Sequence, residues 1–330
     1  MTRKYTYLIF TDFVYVRLKG LVWIYNGLTN PNNLDKSAGD ALAEICSAIE
    51  LGKPLLIDCK GISGITDHAW DILFQKIEST KREIIFINFQ KIEQKINLSK
   101  REFCTSLKMQ NSDNVFIIYK DSIHSKIDET IEKQIEEHLT GMVELFVKNS
   151  FWPYSEGKIN HLSSTPISSN GEFDAASLIS NPESFYWTCL LLADKVEKII
   201  QKYWIGGMSL PTKLLTVSLR SSPFAASIGL LLGLQVETVD HFGPILKNHE
   251  TDNSISNTHE YIYIGDFSVG GTEIKISKTY ALMRNSKLEH AIVIASLFDK
   301  SVFKEFNLHP LVYLIKACPT AKYSLENIHN

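Results

Sequence analysis

Apolar residues recur with a period of about two in some stretches and about 3.6 in others, and their succession predicts strands alternating with helices. Tyr5 to Phe10 alternates, and two β-rich runs, Val14 to Leu18 and Leu21 to Tyr25, flank Lys19-Gly20, which predicts a hairpin. Leu42, Ile45, Cys46 and Ile49 then keep helical spacing until Gly52-Lys53-Pro54 stops them. Leu55 to Cys59 is a short apolar strand, Lys60 to Thr66 a loop rich in Gly and Ser, and Trp70, Leu73, Phe74 and Ile77 mark another helix. Strands at Glu83 to Phe89 and Asn114 to Tyr119 lead into a long helix with inner face Ile127, Ile131, Ile135, Leu139, Met142 and Phe146. Its acidic residues, Asp128, Glu129, Glu132, Glu136 and Glu137, form a solvated face or one that docks against the second domain or a basic partner.

Between Pro153 and Phe173 no apolar period survives, and Ser, Asn, Gly and Pro dominate. This break divides the chain into a domain over 1–150, a linker over 151–172 and a second domain over 173–330. A length of 330 residues agrees, since it exceeds what one hydrophobic core usually organises. In the second domain Asn181-Pro182-Glu183-Ser184 starts a helix that Leu192, Val196, Ile199, Ile200 and Tyr203 continue. Leu214 to Leu219 is a strand, Arg220-Ser221-Ser222-Pro223 a turn, Phe224 to Leu232 a helix of small residues and Gln235 to Val239 a strand. A turn and a helix N-terminus at the carboxyl edge of a parallel sheet bind anions readily. Both halves read as α/β.

Composition narrows the classes. The chain is 44% hydrophobic and 22% charged with a formal charge of -3, so it is an ordinary globular sequence without the basic excess of a duplex nucleic-acid binder. Its five cysteines are widely spaced, which suits buried thiols in a reducing, cytoplasmic setting better than disulfides or zinc. No apolar run is long enough to span a bilayer, and Asp12 and Arg17 interrupt the run that a signal peptide would need.

The stretch LLIDCKGISGITDHAWDILF, Leu55 to Phe74, resembles the strand, loop and helix that carry the phosphorylatable serine of STAS domains. The resemblance covers roughly residues 1 to 120 and implies a mixed sheet with helices and a protein partner. Where that family has Asp-Ser, this chain reads Thr66-Asp67-His68, so Asp67 holds the phosphoacceptor position and reads as an N-cap instead. His68, with no metal-ligand spacing beside it, reads as a surface or cap residue.

The segment YIYIGDFSVGGTEIKISKTYALM, Tyr261 to Met283, carries the most chemistry. A strand ends at Asp266, Ser268-Val269-Gly270-Gly271-Thr272 forms a tight turn, and a helix follows. Glycines let backbone amides converge on a phosphate, hydroxyls add donors, the helix terminus adds positive potential, and a carboxylate accepts bonds from sugar hydroxyls. The alternative is a strand-to-helix turn that needs glycines for its own geometry.

This segment is similar to the signature of type I phosphoribosyltransferases, and the similarity extends over about Phe173 to Ala317. It implies a Rossmann-like parallel sheet flanked by helices, binding phosphoribosyl pyrophosphate (PRPP) or a nucleoside monophosphate with magnesium. Asp266 matches the second acid of the signature, Ser268, Val269, Gly270, Gly271 and Thr272 match its 5-phosphate turn, and Gly265 stands where the first acid would be. In the family the two acids hold the ribose hydroxyls directly or through magnesium; no residue here is assigned as a metal ligand. By position, Arg220, Ser221 and Ser222 fall at the pyrophosphate loop and Lys247 and His249 in a mobile flap. Arg220 reads equally as a structural ion-pair partner, Lys247 and His249 as ordinary loop residues, and Asp240-His241 before Gly243-Pro244 as a turn or an acid-base pair. Many relatives are dimers, so a homodimer is an implied assembly. Three functions stay open: phosphoribosyl transfer to a nitrogenous acceptor, a PRPP or nucleotide sensor, and an interaction scaffold in a bacterial stress or defence system.

Overall fold

The computed structural model describes residues 3–26, 32–48, 53–80, 83–88, 108–112, 115–119, 131–155, 158, 160–161, 167–204, 211–239, 259–297 and 306–325. The chain divides into two compact units, Met1–Ile131 and Glu132–Asn330.

The first unit holds β1 (Tyr7–Ile9), β2 (Val14–Arg17), α1 (Leu18–Tyr25), β3 (Asn33–Leu34), α2 (Lys36–Ala48), β4 (Leu55–Asp58), β5 (Gly64–Ile65), α3 (Asp67–Thr80), β6 (Ile84–Ile87), β7 (Lys108–Ser112) and β8 (Val115–Tyr119). Its main sheet runs β1-β2-β4-β6-β8-β7, and β3 pairs with β5 apart from it. The centre, β2, β4 and β6, is parallel, while β1 and β8 join it antiparallel. Every residue of those three central strands is buried, as parallel strands covered on both faces require. Val16, Leu55, Ile57 and Phe86 pack with Leu42, Ile45, Trp70 and Leu73 of α2 and α3 in one core.

Two local expectations are corrected here. The predicted hairpin is instead β2 running straight into α1, with Leu18, Leu21 and Val22 fully buried and Tyr25 packed against the same core. These positions follow helical spacing, and their burial outweighs the roughly 1 kcal/mol that a mid-helix Gly20 costs. Thr66, not Asp67, caps α3: Ala69 N donates to Thr66 Oγ1 at 3.4 Å, and Asp67 is the first helical residue.

The unit boundary falls after the first residue of α4 (Ile131–Asn149), so the second unit holds the rest of that helix, then β9 (Phe151–Pro153), β10 (Asn160–His161), β11 (Ile167–Ser169), β12 (Gly171–Phe173), α5 (Ala175–Ser180) and α6 (Pro182–Trp204). β13 (Thr212–Thr216), α7 (Ser222–Leu232), β14 (Gln235–Thr238), β15 (Glu260–Ser268), α8 (Thr272–Met283), β16 (Lys287–Ser296), β17 (Asn307–Tyr313), α9 (Leu314–Ala317) and β18 (Tyr323–Leu325) complete it. The long helix thus groups with the C-terminal unit, ahead of the boundary read from composition. The contacts explain why: Glu136 meets Lys198, Glu144 meets Lys316, and Lys148 O accepts from Cys318 Sγ. Its buried face continues in steps of four through Leu139, Val143 and Val147, instead of turning to Met142 and Phe146.

The stretch read as a linker is also partly ordered by pairing. β9 and β12 form an antiparallel ribbon, and β11 pairs with β10 on one side and with β18, far along the chain, on the other.

The core of the unit is a five-stranded sheet in the order β14-β13-β15-β16-β17, parallel throughout. Tyr261 and Tyr263 on one face of β15 and Ile262 and Ile264 on the other are all buried. α8 covers the tyrosine face through Ile274 and Ala281. α6 begins as predicted, with Asn181 Oδ1 accepting from Glu183 N at 2.9 Å, and meets α7 through the Phe185 and Phe224 rings. The C-terminal unit is therefore a Rossmann-like parallel sheet flanked by helices, and the N-terminal unit is a mixed sheet with helices. No helix among the described residues is long and apolar enough to cross a membrane.

Candidate functional site

Numbered within the parallel sheet, the strand order is 2-1-3-4-5, so the chain reverses direction of travel between β13 and β15. The connections leaving two such neighbours diverge to opposite faces and open a crevice at their carboxyl ends, where ligands of doubly wound sheets bind. The two turns at this switch point are 217–221, between β13 and α7, and 269–271, between β15 and α8. Topology thus brings together the two segments that the sequence singled out separately.

Near the carboxyl end of β15, ahead of the second turn, Asp266 is only 9% exposed. Burial raises its pKa, while hydrogen bonds from backbone N–H groups at Phe267 and Asp266 and the charge of Arg220 pull it partly back. Ser268, two residues on along β15, is 4% exposed, and among the described residues its Oγ has no hydrogen-bond partner. A buried hydroxyl left unbonded costs about 1–3 kcal/mol, a cost that an acceptor brought to the turn would offset. Gly271 takes the left-handed conformation (φ 68°, ψ 18°) to turn the strand into α8, and no described side chain caps that helix. Gly270 has no such duty: its φ is outside the left-handed region, and a Cβ there would meet nothing nearer than Thr272 Oγ1 at 3.9 Å. The turn therefore offers an uncapped helix N-terminus, an orphaned hydroxyl and open space beside a glycine that the backbone does not demand.

The first turn is built by its serines. Ser218 O accepts from Ser221 N at 3.2 Å and Ser222 N at 3.0 Å, and also from both hydroxyls. Ser221 Oγ further bonds Thr216 Oγ1 at 2.5 Å, so Ser221 and Ser222 shape the loop. Arg220 is left on the rim, 3.6 Å from Glu172 with both side chains about half exposed. An exposed pair of this kind is worth about 0.2–1 kcal/mol, little enough for Arg220 to leave it for an anion. Glu172 sits on the β9–β12 ribbon, which Phe173 fastens to Phe267 of β15 with ring centroids 5.4 Å apart.

One feature of the site escaped the sequence reading. A Cβ at Gly265 would lie 2.6 Å from Tyr263 Cε1 and 2.8 Å from Tyr263 Oη, so the tyrosine ring occupies the space of a side chain at 265. Its hydroxyl donates to Glu273 Oε2 at 2.8 Å, in the first turn of α8. Burial, then the Glu273 charge, push the Tyr263 phenol far up, which keeps it a donor. Burial of the Glu273 carboxyl and the charge of Asp266 raise the Glu273 pKa, against the Tyr263 bond. The legible signal was a bulky aromatic two residues before a glycine in one strand, since such residues share a face.

Lys247, His249, Asp240 and His241 lie outside the described residues. A group with metal-binding composition, Glu260, Glu289 and His290 with ligand atoms within 4.8 Å of one another, stands near the amino ends of β15 and β16, away from both turns.

The fold and site define a Rossmann-like α/β unit with an anion-receptive turn at its switch point. No protein-family model matches the chain, and no curated protein matches it. Among solved structures the chain is similar to an orotate phosphoribosyltransferase from Aeropyrum pernix, at 18% identity and a TM-score of 0.38 over 54% of this chain and 95% of that one. An adenine phosphoribosyltransferase from Saccharomyces cerevisiae is similar at 14% identity and a TM-score of 0.37, over 52% and 99% of the two chains. A UMP synthase from Leishmania donovani is similar at 8% identity and a TM-score of 0.40, over 92% and 84%. The fold assignment rests on the strand order itself.

Proposed function

We propose that the C-terminal unit binds the 5-phosphoribosyl group of PRPP or of a nucleoside monophosphate and transfers it to or from a nitrogenous acceptor. The observation that carries this reading is the buried, unbonded Ser268 hydroxyl beside the uncapped N-terminus of α8. A phosphate there accepts from Ser268, Thr272 and the first backbone N–H groups of the helix, which offsets both deficits. Asp266 accepts from the ribose and faces the positive charge that develops on the sugar during transfer, and Arg220 meets the departing pyrophosphate. Magnesium takes hard oxygen donors, and the carboxylates of Asp266 and Glu273 suit it; once bound it would neutralise pyrophosphate charge.

A second reading, binding without transfer, is favoured by the tyrosine ring that takes the place of an acid at Gly265. The N-terminal unit is then a STAS-like module that passes occupancy to a protein partner. A cytoplasmic setting suits Cys46, Cys59, Cys189 and Cys318, which are buried and unbridged. Calorimetric titration of PRPP with magnesium into the wild type and Asp266→Ala tests the reading. Heat that the variant loses supports it, and silence at concentrations that detect roughly millimolar affinity overturns it. Pyrophosphate release on adding a base separates transfer from sensing.

A further inference from the structure

We infer that Glu260, Glu289 and His290 form a binding site for a divalent transition metal such as zinc, at the amino edge of the second unit's parallel sheet, with His309 positioning the imidazole. The site stands independently of the phosphoribosyl reading. Glu260 begins β15, six residues before Asp266, and a strand rising about 3.3 Å per residue puts the two about 20 Å apart. A metal here is therefore not the magnesium that accompanies a pyrophosphate.

The strand register assembles the group. His290 lies across from Ile262 of β15, so Glu260, two residues before Ile262, shares the face of His290. His309 lies across from Ile292, two residues after His290, and shares that face as well. In a regular strand Glu289 would turn to the opposite face. The register shifts here, Tyr261 pairing with Leu288 and Ile262 with His290, so Glu289 is the extra residue of a β-bulge and is re-aimed. One ligand atom from each of Glu260, Glu289 and His290 lies within 4.8 Å of the others. Ligands at about 2.0–2.1 Å from a tetrahedral zinc stand about 3.3 Å apart, so the group closes by at most about 1.5 Å, within reach of glutamate rotamers. His290 Nδ1 and His309 Nε2 are hydrogen-bonded at 3.0 Å. Nε2 is thus the nitrogen of His290 left for a metal, which fixes the proton on Nδ1 and makes His309 the acceptor that orients the ring. One imidazole with two carboxylates selects a metal such as zinc over magnesium, which takes oxygen donors. Glu289 is exposed, which leaves the fourth position to water. The competing use of Glu260 is an ion pair with Lys287, its register partner on β16.

The test strips the full chain of metal with a chelator and titrates zinc in competition with a chromophoric chelator of known affinity, each variant being checked by thermal melting. The wild type is expected to take up one zinc with a Kd of about 1 μM or below, and to keep it in millimolar magnesium. Cobalt in its place gives the visible absorption of a tetrahedral site. His309→Leu weakens zinc about tenfold to a hundredfold, as loss of the partner of a metal-bound imidazole does, while His309→Gln, which keeps an acceptor for Nδ1, weakens it less. Glu289→Gln and His290→Gln, which remove ligands, weaken it further than His309→Leu. Asp266→Ala and His138→Gln, an exposed histidine on α4, leave it unchanged. No uptake at micromolar zinc overturns the inference and leaves Glu260 to its ion pair with Lys287. Uptake that persists in folded Glu289→Gln and His290→Gln proteins, or that Asp266→Ala removes, puts the metal elsewhere and overturns it too. So does displacement by magnesium, which would mark an all-oxygen site.

Discussion

Gly270 and Gly271 are neighbours with opposite duties, and replacing each by alanine separates structure from binding. Gly271 has φ 68°, where an alanine costs about 1–2 kcal/mol through contact of Cβ with the following carbonyl. For a unit of this size that lowers Tm by roughly 2–8 °C. At Gly270 the φ is ordinary and the nearest atom to an added Cβ is 3.9 Å away, so alanine brings no strain. It narrows the unfolded ensemble instead, which stabilises by about 0.4–1 kcal/mol and raises Tm by roughly 1–4 °C. The same methyl fills the space through which a phosphate would approach the backbone. Crowding of that order, about 1–3 kcal/mol, weakens PRPP about tenfold to a hundredfold. Differential scanning calorimetry therefore separates the two variants by the sign of the Tm change, and PRPP titration then shows whether the stabilised Gly270→Ala protein has lost binding. A Gly270→Ala protein that binds PRPP as the wild type does would refute the reasoning, because the glycine would then be an accident of the turn.

Other outcomes follow from the same geometry. Asp266 is raised by burial, so the folded state holds its proton more tightly than the unfolded one; its contribution is full below the unfolded pKa and lost as pH rises through the folded one. Asp266→Asn should therefore gain stability over the wild type as pH rises above the ordinary carboxylate pKa while losing sugar-phosphate binding, and pH-resolved melts with no such divergence would count against it. Arg220→Ala should weaken PRPP but not ribose 5-phosphate in parallel titrations, and Glu172→Gln should change unfolding free energy by less than about 1 kcal/mol and leave PRPP binding no weaker. Thr66→Ala should destabilise the N-terminal unit by about 1 kcal/mol in denaturant melts, whereas Asp67→Ala should cost less, since the cap is the threonine.

What the sequence made legible was local. Asn181 announced its helix by cap chemistry, and the turn from Asp266 to Thr272 announced itself by glycines after an apolar strand. The short strands Leu55–Asp58 and Ile84–Ile87 were visible as apolar runs because both of their faces are buried. Where two local signals competed, the wrong one prevailed: Lys19-Gly20 suggested a turn, yet Leu18, Leu21, Val22 and Tyr25 already carried helical spacing. What depends on distant pairing stayed hidden. Ser169 meets Tyr323 across most of the second unit, so the polar letters around it read as linker. The Tyr263–Glu273 bond was hidden likewise, because it joins a strand to the helix after the turn and only the fold reveals that Gly265 is covered.

The central claim is that the turn after β15 holds a 5-phosphate, and ³¹P line broadening of ribose 5-phosphate by the full chain tests it without the pyrophosphate or an acceptor. The account predicts broadening that PRPP competes away and that Ser268→Ala and Gly270→Ala, both folded by thermal melt, strongly reduce. Broadening equal in wild type and both variants, or none at millimolar sugar phosphate, would contradict it.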